Sequence, residues 1–482
     1  KLKYDSHKKE YKALIRFRFF SAAYLIELVE KINESEEIDE IFISGWSNYF
    51  SQYSKKNYFV SYLVLNLVKN IKISKLTKQD KNKISTRDDK RYFILNNDLD
   101  KNKKYVLMNN IGYNFLKFVF TLRKKNFYIL VPLFNKINFV KKILMKVFKI
   151  IFIEFDSQLT NEKKSFYLPP ISFFYKKNDL SQILDFRKEQ ELGNLMNLEQ
   201  KSEVINSLFN EFDIKLVLTN TTRGIDGFYI EAARQKKISS ICIPHGTLSA
   251  PFNKFDKIYK NIIAEAISTD QSEFIAAQSK ISKSFFKSNN YRGKTIDTGN
   301  LIFSEAEKSK KNKILFAVTL KDFFGFQFLG VEMYYEFLDN LSLLNQIAKK
   351  NNLAFLIKPH PSIIESTADL KKEFRNLEFT NKKISYALKN VFATISFSST
   401  VIEDSLYSNI PVILLDRWKR YKHCEAEENV KKKNSAIYYV NNENDLIDCI
   451  ATIKKSDNIL FENYIFAGSV KNNINNLFNK LL

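Results

Sequence analysis

Three short loops collect the residues that could do chemistry, and each of them follows an apolar run. His245 and Gly246 follow the run ICIP, and His360 lies between two prolines in IKPHPS. Glycine lets the backbone approach a ligand closely, and proline fixes the direction of the chain. Only four histidines occur in the chain, and two of them fall in these loops. This pattern favours a ligand site over histidines that merely support the backbone.

The third loop contains Ser398, Ser399 and Thr400, and it precedes Glu403 and Asp404. Serine and threonine are good helix N-caps, and acidic residues stabilise the first turn of a helix. Free N–H groups at a helix N-terminus, together with hydroxyl groups, also bind phosphate. The same residues suit both explanations, so the pattern leaves a helix cap and a phosphate site open.

The elements that position these loops alternate between strand and helix. Apolar and β-branched runs predict strands at 213–220, 239–246, 274–279, 295–300, 311–320, 391–397 and 411–415, and a strand with its exit loop at 354–362. Helical patterns lie at 227–237, 280–288, 334–349 and 401–407. Such alternation indicates parallel sheets, which bind ligands beyond the carboxyl ends of their strands. We therefore predict an α/β fold with the three loops at ligand-binding edges.

The alternation runs in two series, which predicts two doubly wound domains. The charged stretch SEAEKSKKN marks a boundary near residue 305. We expect an N-terminal domain with insertions at 1–305 and a C-terminal domain at 306–482, whose last helix is a candidate to pack back on the first domain. Strands at 40–50 and 105–110 belong to the first domain, and the polar, lysine-rich residues 72–104 predict a surface loop.

The composition indicates a globular protein with a strong positive charge. Hydrophobic residues make up 45% of the 482 residues, and 76 basic against 53 acidic residues give a formal net charge of +23. This charge favours polyanionic partners, namely nucleic acid, anionic lipid or phosphorylated substrates. The chain shows no zinc-finger spacing, RNP-like motif or basic leucine zipper, which disfavours nucleic acid. Its three cysteines lie far apart, so we predict neither a disulfide framework nor a metal cluster.

Residues 137–155 have the pattern of a basic amphipathic helix. Lys142, Lys146 and Lys149 recur at helical spacing, and apolar residues mark the other side. Such a helix can lie on an anionic membrane surface, or it can pack on a core with its lysines solvated. Both remain open. No apolar run reaches the length of a spanning helix.

Five stretches, in this order, resemble bacterial GT-B glycosyltransferases of surface-polysaccharide synthesis. They are IPHGT, TIDTGN, KNKILFAVT, IKPHPS and SSTVIEDSLYSNIPVILL, within roughly residues 213–416. Similar families include the capsule-type Kdo and sialic-acid transferases and the teichoic-acid glycerophosphotransferases. The resemblance implies a GT-B fold, in which two Rossmann-like domains face a central cleft and the C-terminal domain holds a nucleotide-sugar.

The resemblance also implies roles for individual residues in donor binding. In sialyl- and polysialyltransferases, a His–Pro motif and a Ser–Ser/Thr motif hold the nucleotide and its phosphate. These motifs match His360–Pro361 and Ser398–Thr400. In many GT-B enzymes an acid early in the following helix binds the donor ribose, and Asp404, with Glu403 beside it, matches that position. The same pattern resembles UDP-GlcNAc 2-epimerase, a GT-B relative, so it indicates nucleotide binding more directly than sugar transfer.

Transfer also requires a base for the acceptor hydroxyl, and we expect it in the first domain. Helix N-terminal amides, hydroxyls and a histidine can stabilise the departing phosphate, while the base must reach the acceptor. The catalytic candidates are His245 and Asp226. The sialyltransferase motif that carries the base has two acids and a glycine, whereas GIDG has only Asp226. Asp226 could instead be a turn residue between two glycines, and His245 could support the backbone.

We predict no metal and no cofactor. The triplet DLD at 98–100 has the form of a metal-binding motif in glycosyltransferases of another fold, but it lies in a Lys/Asn-rich stretch. His423 has glutamates nearby, but their spacing is loose for a metal site. Arg417, Arg420 and Lys422 are candidates for contact with a donor phosphate or carboxylate, or they form a charged surface loop.

The sequence thus predicts a metal-independent glycosyltransferase of bacterial cell-surface polysaccharide synthesis. We favour a CMP-ulosonic acid donor, such as CMP-Kdo or CMP-sialic acid, and a glycan or lipid-linked acceptor. We expect the protein at the cytoplasmic face of the membrane, bound peripherally to an anionic membrane surface. The alternatives are an isomerase of the 2-epimerase type that acts on a free UDP-sugar and a teichoic-acid-type glycerophosphotransferase. A nucleic-acid-binding protein is the most distant alternative.

Overall fold

A computed structural model describes the following parts of the chain: 40–44, 72–76, 92–94, 103–108, 114–133, 148, 150–155, 174–175, 178–179, 202, 204–222, 225–244, 249–252, 257, 260, 271–288, 294–306, 312–317, 330–360, 367–397, 399–419 and 422–482. By internal contacts the chain groups into two units. One comprises 1–93, 155–205 and 323–331, and the other comprises 94–154, 206–322 and 332–482.

The described strands are numbered in chain order. They are β1 (Glu40–Ser44), β2 (Lys72–Leu76), β3 (Tyr92–Ile94), β4 (Lys104–Met108), β5 (Tyr128–Leu133), β6 (Ile150–Phe155), β7 (Phe174–Tyr175), β8 (Asn178–Asp179), β9 (Asp213–Thr219), β10 (Ser239–Cys242), β11 (Phe274–Ala277), β12 (Lys294–Asp297), β13 (Lys313–Phe316), β14 (Phe355–Ile357), β15 (Glu378–Phe379), β16 (Val391–Ser396), β17 (Val412–Leu415) and β18 (Ile437–Val440).

The described helices are numbered in the same way. They are α1 (Phe115–Lys124), α2 (Ile225–Gln235), α3 (Lys280–Ser288), α4 (Gly330–Asn351), α5 (Thr367–Glu373), α6 (Ile384–Ala387), α7 (Val401–Tyr407), α8 (Glu443–Lys454) and α9 (Val470–Leu481). Two short 3-10 turns at Leu388–Asn390 and Phe461–Asn463 complete the set.

The larger sheet has the strand order β12-β11-β10-β9-β4-β5-β6-β3. All pairings from β12 to β6 are parallel. From β4 the chain moves outward through β5 and β6 on one side, and then through β9 to β12 on the other. This is the doubly wound Rossmann order, and its switch point lies between β4 and β9.

The second sheet has the order β15-β14-β13-β16-β17-β18, and all its pairings are parallel. Numbered within this sheet, its strands lie in the order 3-2-1-4-5-6, which is that of a Rossmann domain. Its switch point lies between β13 and β16. The two strand orders confirm the predicted fold class: α/β of the GT-B type, with two doubly wound domains. The predicted boundary between 1–305 and 306–482 falls between β12 and β13 and stays a prediction.

The central strands are apolar because helices cover both faces of a parallel sheet. In β4, the run Tyr105–Met108 is buried at every position, and β17 is likewise buried throughout. The last helix, α9, packs on the core of the larger sheet, where the rings of Phe478 and Phe118 meet edge to face at 5.9 Å. Near its start, the Asn473 side chain donates a hydrogen bond to the carbonyl of Asn300 at 3.1 Å.

Two expectations for the first third of the chain are wrong. The residues at the end of the predicted helix at 137–155 form strand β6, which pairs in parallel with β5 from Ile150 onward. The buried β-branched residues of this run favour a strand in the sheet, and this preference outweighs the helix that the spacing of the lysines predicted. Those three lysines lie outside the described residues. The predicted loop at 72–104 contains the strands β2 and β3, and the DLD triplet at 98–100 also lies outside the described residues.

Candidate functional site

Two of the three predicted loops flank the switch point of the second sheet. Phe316, at the end of β13, is level with Ile357 of β14 on one side and with Ile395 of β16 on the other. His360 lies three residues beyond β14, and Ser399 lies three residues beyond β16. Their strands are two spacings apart, about 10 Å. In a parallel sheet of this order, ligands bind at such a switch point, beyond the carboxyl ends of the strands.

The first of these loops leaves the sheet beside β13. The Lys358 N–H donates to the carbonyl of Phe316 at 2.9 Å, which holds the start of the loop against that strand. Burial lowers the pKa of the half-buried Lys358 ammonium. A partly desolvated cation of this kind is stabilised by a bound anion. His360 is partly exposed two residues further on, and Pro361 lies outside the described residues.

The hydroxyl loop uses only part of its hydrogen-bonding capacity for the start of α7. The Val401 N–H donates to Ser399 Oγ at 3.2 Å, so Ser399 satisfies an N–H of the first turn. Thr400 occupies the N-cap position, but its side chain makes no capping bond. The helix-cap explanation therefore accounts for Ser399 and leaves the Thr400 hydroxyl available. Ser398 lies outside the described residues.

The two acids of α7 are buried and accept hydrogen bonds from residues that lie 100 or more positions earlier in the chain. The Ser304 N–H donates to Asp404 Oδ1 at 2.6 Å, and the Ser279 hydroxyl donates to Glu403 Oε1 at 3.4 Å. Burial raises the pKa of Asp404 to about 7, despite the hydrogen bonds from Ser304. One turn later Ser408 Oγ accepts from the N–H of Ala306. The acids thus fasten α7 to the segments after β11 and β12, and contact with a donor ribose stays a prediction.

One of the two acceptor-side candidates, Asp226, follows β9 at the switch point of the larger sheet. Asp226 is buried at the start of α2, and its Oδ2 accepts from the Thr221 N–H at 3.2 Å and from the Thr221 hydroxyl at 3.0 Å. Asp226 therefore lies in the first turn of a helix, rather than in a turn between two glycines, and it binds the segment that precedes the helix. A role as general base stays a proposal for Asp226. His245 lies outside the described residues.

The basic candidates after β17 have partners within the protein. Arg417 donates to the carbonyl of Asp339 at 2.9 Å, and the Trp418 indole donates to the Asp339 carboxylate at 3.0 Å. Lys422 pairs with Glu428 at 2.6 Å. These contacts favour the surface-loop explanation, while Arg420 lies outside the described residues.

His423 is buried and links two distant segments. Its carbonyl accepts from the Ser249 hydroxyl and, at 3.4 Å, from the Lys260 ammonium. Burial, with Lys260 nearby, lowers the pKa of His423 to about 3, so the ring is neutral at physiological pH. In the described part of the chain, no group of histidines, cysteines and acids could hold a metal ion. No sequence pattern indicates the link to Ser249.

Two further polar residues near this edge were missed from the sequence. Ser396, the last residue of β16, is fully buried and its hydroxyl has no hydrogen-bond partner. Both polar atoms of the Asn340 side chain, on α4, are also buried without a partner. A buried polar group without a partner is destabilising. The only sequence signal was a polar residue within an otherwise apolar pattern.

Comparison with known proteins gives one local sequence match and several distant structural similarities. No protein-family model matches the chain. The minor teichoic acid biosynthesis protein GgaB of Bacillus subtilis (strain 168) is 30% identical over 158 residues, which are 31% of this chain. The chain spans only 17% of the length of that relative.

The structural similarities are to nucleotide-sugar proteins. UDP-GlcNAc 2-epimerase from Methanocaldococcus jannaschii is 15% identical, over 79% of this chain and 99% of that chain, with a TM-score of 0.45. The enzyme from Neisseria meningitidis bound to UDP-GlcNAc is 14% identical over the same shares, with a TM-score of 0.46. A variant of S. aureus TarM, in complex with fondaparinux, alpha-GlcNAc-glycerol and UDP, is 12% identical. The similarity covers 79% of this chain and 97% of that chain, with a TM-score of 0.43.

No helix among the described residues is long and apolar enough to cross a membrane.

Proposed function

We propose that the chain is a glycosyltransferase of cell-surface polysaccharide synthesis that binds a nucleotide-sugar at the switch point of its second sheet. The observation that carries this proposal is the Rossmann strand order of that sheet, with the His360 and Ser399 loops on either side of β13. Ligands of such sheets bind at the switch point, beyond the carboxyl ends of the strands. The local similarity to a teichoic acid biosynthesis protein supports a polysaccharide product.

In this proposal the two loops hold the diphosphate or monophosphate of the donor. Lys358 and His360 supply positive charge and a hydrogen-bond donor from one side of β13. From the other side, the Ser398–Thr400 loop supplies hydroxyl groups. These groups would stabilise the charge that develops on the departing phosphate. Glu403 and Asp404 would position the nucleoside, and His245 or Asp226 would take the proton of the acceptor hydroxyl.

The finer assignments belong to the same proposal. A CMP-ulosonic acid is the donor that the sequence resemblance favours, and the acceptor is a lipid-linked or other glycan. A lipid-linked acceptor would place the protein at the cytoplasmic face of the membrane as a peripheral protein. The partly buried Lys358 suits the phosphate of any nucleotide, so it does not select among the nucleotides.

A thermal-shift panel with CMP, CDP, UDP and GDP tests nucleotide binding. A ligand at a hundred times its dissociation constant stabilises the folded state by about 2.7 kcal/mol, a measurable rise in melting temperature. We expect one nucleotide to stabilise the protein and His360→Ala to abolish the effect with the fold intact. Tyr386→Ala, at an exposed position on α6, is the control and should respond as the wild type does.

The outcomes separate the candidate activities. Stabilisation by CMP supports the ulosonic acid donor, whereas CDP points to a glycerophosphotransferase. With UDP, incubation of UDP-GlcNAc without an acceptor distinguishes an epimerase, which would form a second UDP-sugar, from a transferase, which would leave the sugar unchanged. If His360→Ala binds the nucleotide as tightly as the wild type, the site is not at this switch point. If no nucleotide binds and the protein is retained on DNA in a salt-dependent way, the proposal of a transferase is wrong.

A further inference from the structure

The outward side of α1 carries two large apolar residues. Leu116 is 51% exposed and Phe120 is 48% exposed, and they lie one turn apart. Lys117 and Lys124 are also exposed on this helix. At 3.6 residues per turn, these four side chains leave the helix within an arc of about 100°. The exposed side of α1 is therefore apolar and basic together.

The neighbouring helix α9 extends this basic surface. Residues 114–128 contain four basic residues and 470–482 contain two, and neither stretch contains an acidic residue. These cations are Lys117, Arg123, Lys124, Lys125, Lys471 and Lys480. We call the exposed residues of the two helices, from Leu116 to Lys124 and from Lys471 to Leu482, the α1–α9 face. Leu482, which is 42% exposed, adds a third apolar side chain beyond the end of α9.

The α1–α9 face is held in place by contacts on its inner side. Phe118 of α1 and Phe478 of α9 are buried and meet edge to face. The Lys125 ammonium donates to the Asn479 side chain at 2.6 Å, which joins the two helices at their exposed edge. The ring of Phe120 packs edge to face on that of Phe148, and the ring centroids are 5.1 Å apart. The core is thus filled by other residues, and Leu116 and Phe120 stay exposed on a fixed framework.

We propose that the α1–α9 face docks on an anionic lipid bilayer. Reversible membrane binding has two components. Apolar side chains enter the boundary between headgroups and acyl chains, and neighbouring lysines attract anionic headgroups. A second copy of this chain fits less well, because a twofold contact would bring two acid-free, basic faces together. A nucleic acid would use the cations but would leave Leu116 and Phe120 without an apolar partner.

This inference deepens the proposed function, on which it rests for its biological meaning, since a lipid-linked acceptor would lie in that bilayer. It also relocates the predicted membrane contact, which the sequence had suggested at 137–155. The test nevertheless needs neither donor nor acceptor. Its failure can therefore be told apart from a failure of the proposed function, which the nucleotide panel measures.

The experiment is sedimentation of the whole chain with vesicles of phosphatidylcholine, with or without 30% phosphatidylglycerol. The test variant is the triple substitution Lys117→Gln, Phe120→Ser and Lys124→Gln. The control variant is Lys382→Gln, Tyr386→Ser and Lys389→Gln on and beside α6. It removes the same number of charges and one aromatic residue of similar exposure, since Tyr386 is 57% exposed. Lys382 and Lys389 both lie over the Tyr386 ring as cation–π pairs.

We expect the wild type to bind the anionic vesicles at low salt and to be released at high salt, since screening weakens such binding. Each lost lysine should lower the partition coefficient about fivefold. Loss of the inserted ring should lower it by roughly another tenfold, so the test variant should lose about two orders of magnitude. The control variant should bind as the wild type does. If Phe120→Ser impairs folding, Lys117→Gln with Lys124→Gln should still lose about 25-fold.

Three results would overturn the inference. Equal losses in the test and control variants would show that the general positive charge, rather than this face, attracts the vesicles. Unchanged binding by the test variant would remove the α1–α9 face from the contact. If the wild type binds neither kind of vesicle and sediments as a dimer, while the test variant sediments as a monomer, the surface serves self-association instead.

Discussion

Replacing Asp404 with asparagine should stabilise the protein at neutral and alkaline pH. Asp404 is buried, and burial raises its pKa from an ordinary 3.8 to about 7. The folded state therefore keeps the proton to a higher pH than the unfolded state does. The stability associated with the protonated form is complete below about pH 4 and is lost as the pH rises through about 7. An asparagine at this position would never ionise, and its side-chain oxygen could still accept the Ser304 N–H.

The magnitude follows from the size of the shift. About three pKa units at 1.36 kcal/mol each should make the free energy of unfolding of Asp404→Asn about 4 kcal/mol higher than that of the wild type at pH 8. This difference should disappear near pH 4. Urea unfolding of both proteins at pH 5, 6, 7 and 8 measures this difference. Asp369→Asn, at an exposed position on α5, is the control for the substitution itself and should change the stability only slightly. A difference for Asp404→Asn that stays flat from pH 5 to 8 would refute the reasoning.

The remaining predictions concern stability and binding at other positions. Phe478→Ala should lower the free energy of unfolding by about 3–5 kcal/mol in a urea titration, because it removes a fully buried ring between α9 and α1. Burial lowers the pKa of His423 from 6.5 to about 3, so below about pH 6.5 the unfolded state binds a proton that the folded state does not. The free energy of unfolding should therefore fall as the pH drops below about 6.5. His423→Asn should reduce this pH dependence in unfolding measured at pH 5 and 7. Ser399→Ala should weaken nucleotide binding by about 1–3 kcal/mol in calorimetry. A lower melting temperature with unchanged affinity would instead leave Ser399 as a helix cap only.

The second sheet was largely predictable because its signals are local. The helix expected at 401–407 is found as Val401–Tyr407, since hydroxyl residues precede it and Pro411 follows it. Strands at 391–397 and 411–415 were visible as short apolar runs between turn residues, and they are found within a residue or two of those bounds. The chain beyond 416 carried the same kinds of signal, but β18 and α8 were not identified in it, and α9 was expected only as a last helix without bounds.

The error at 137–155 shows where sequence periodicity stops being informative. Residues 150–153 of β6 are buried in a parallel sheet, and a short apolar run of this kind has no period that separates strand from helix. Its pairing with β5, about twenty residues earlier, decided the outcome. Helix α1 was also missed, because apolar residues on its outer face accompany those that fill the core and make its helical period harder to see.

For the site, the sequence predicted which loops matter but not the partners of each side chain. The edge of the sheet at which His360 and Ser399 lie follows from the order of strands and helices. The bond from Ser304 to Asp404 joins residues 100 positions apart, and the bond from Ser249 to His423 spans 174. Such contacts depend on how the two sheets are joined, which no local pattern encodes. The acids interpreted as ribose ligands therefore have partners that the sequence could not indicate.

The central claim is that the nucleotide binds at the switch point of the second sheet. Photo-crosslinking with an azido derivative of the nucleotide that stabilises the protein most, followed by peptide mapping, tests this claim directly. We expect the label on peptides that contain 358–361 or 397–404, and we expect excess unlabelled nucleotide to remove it. Label confined to peptides of the larger sheet, such as 219–235, and equally sensitive to competition, would contradict the account.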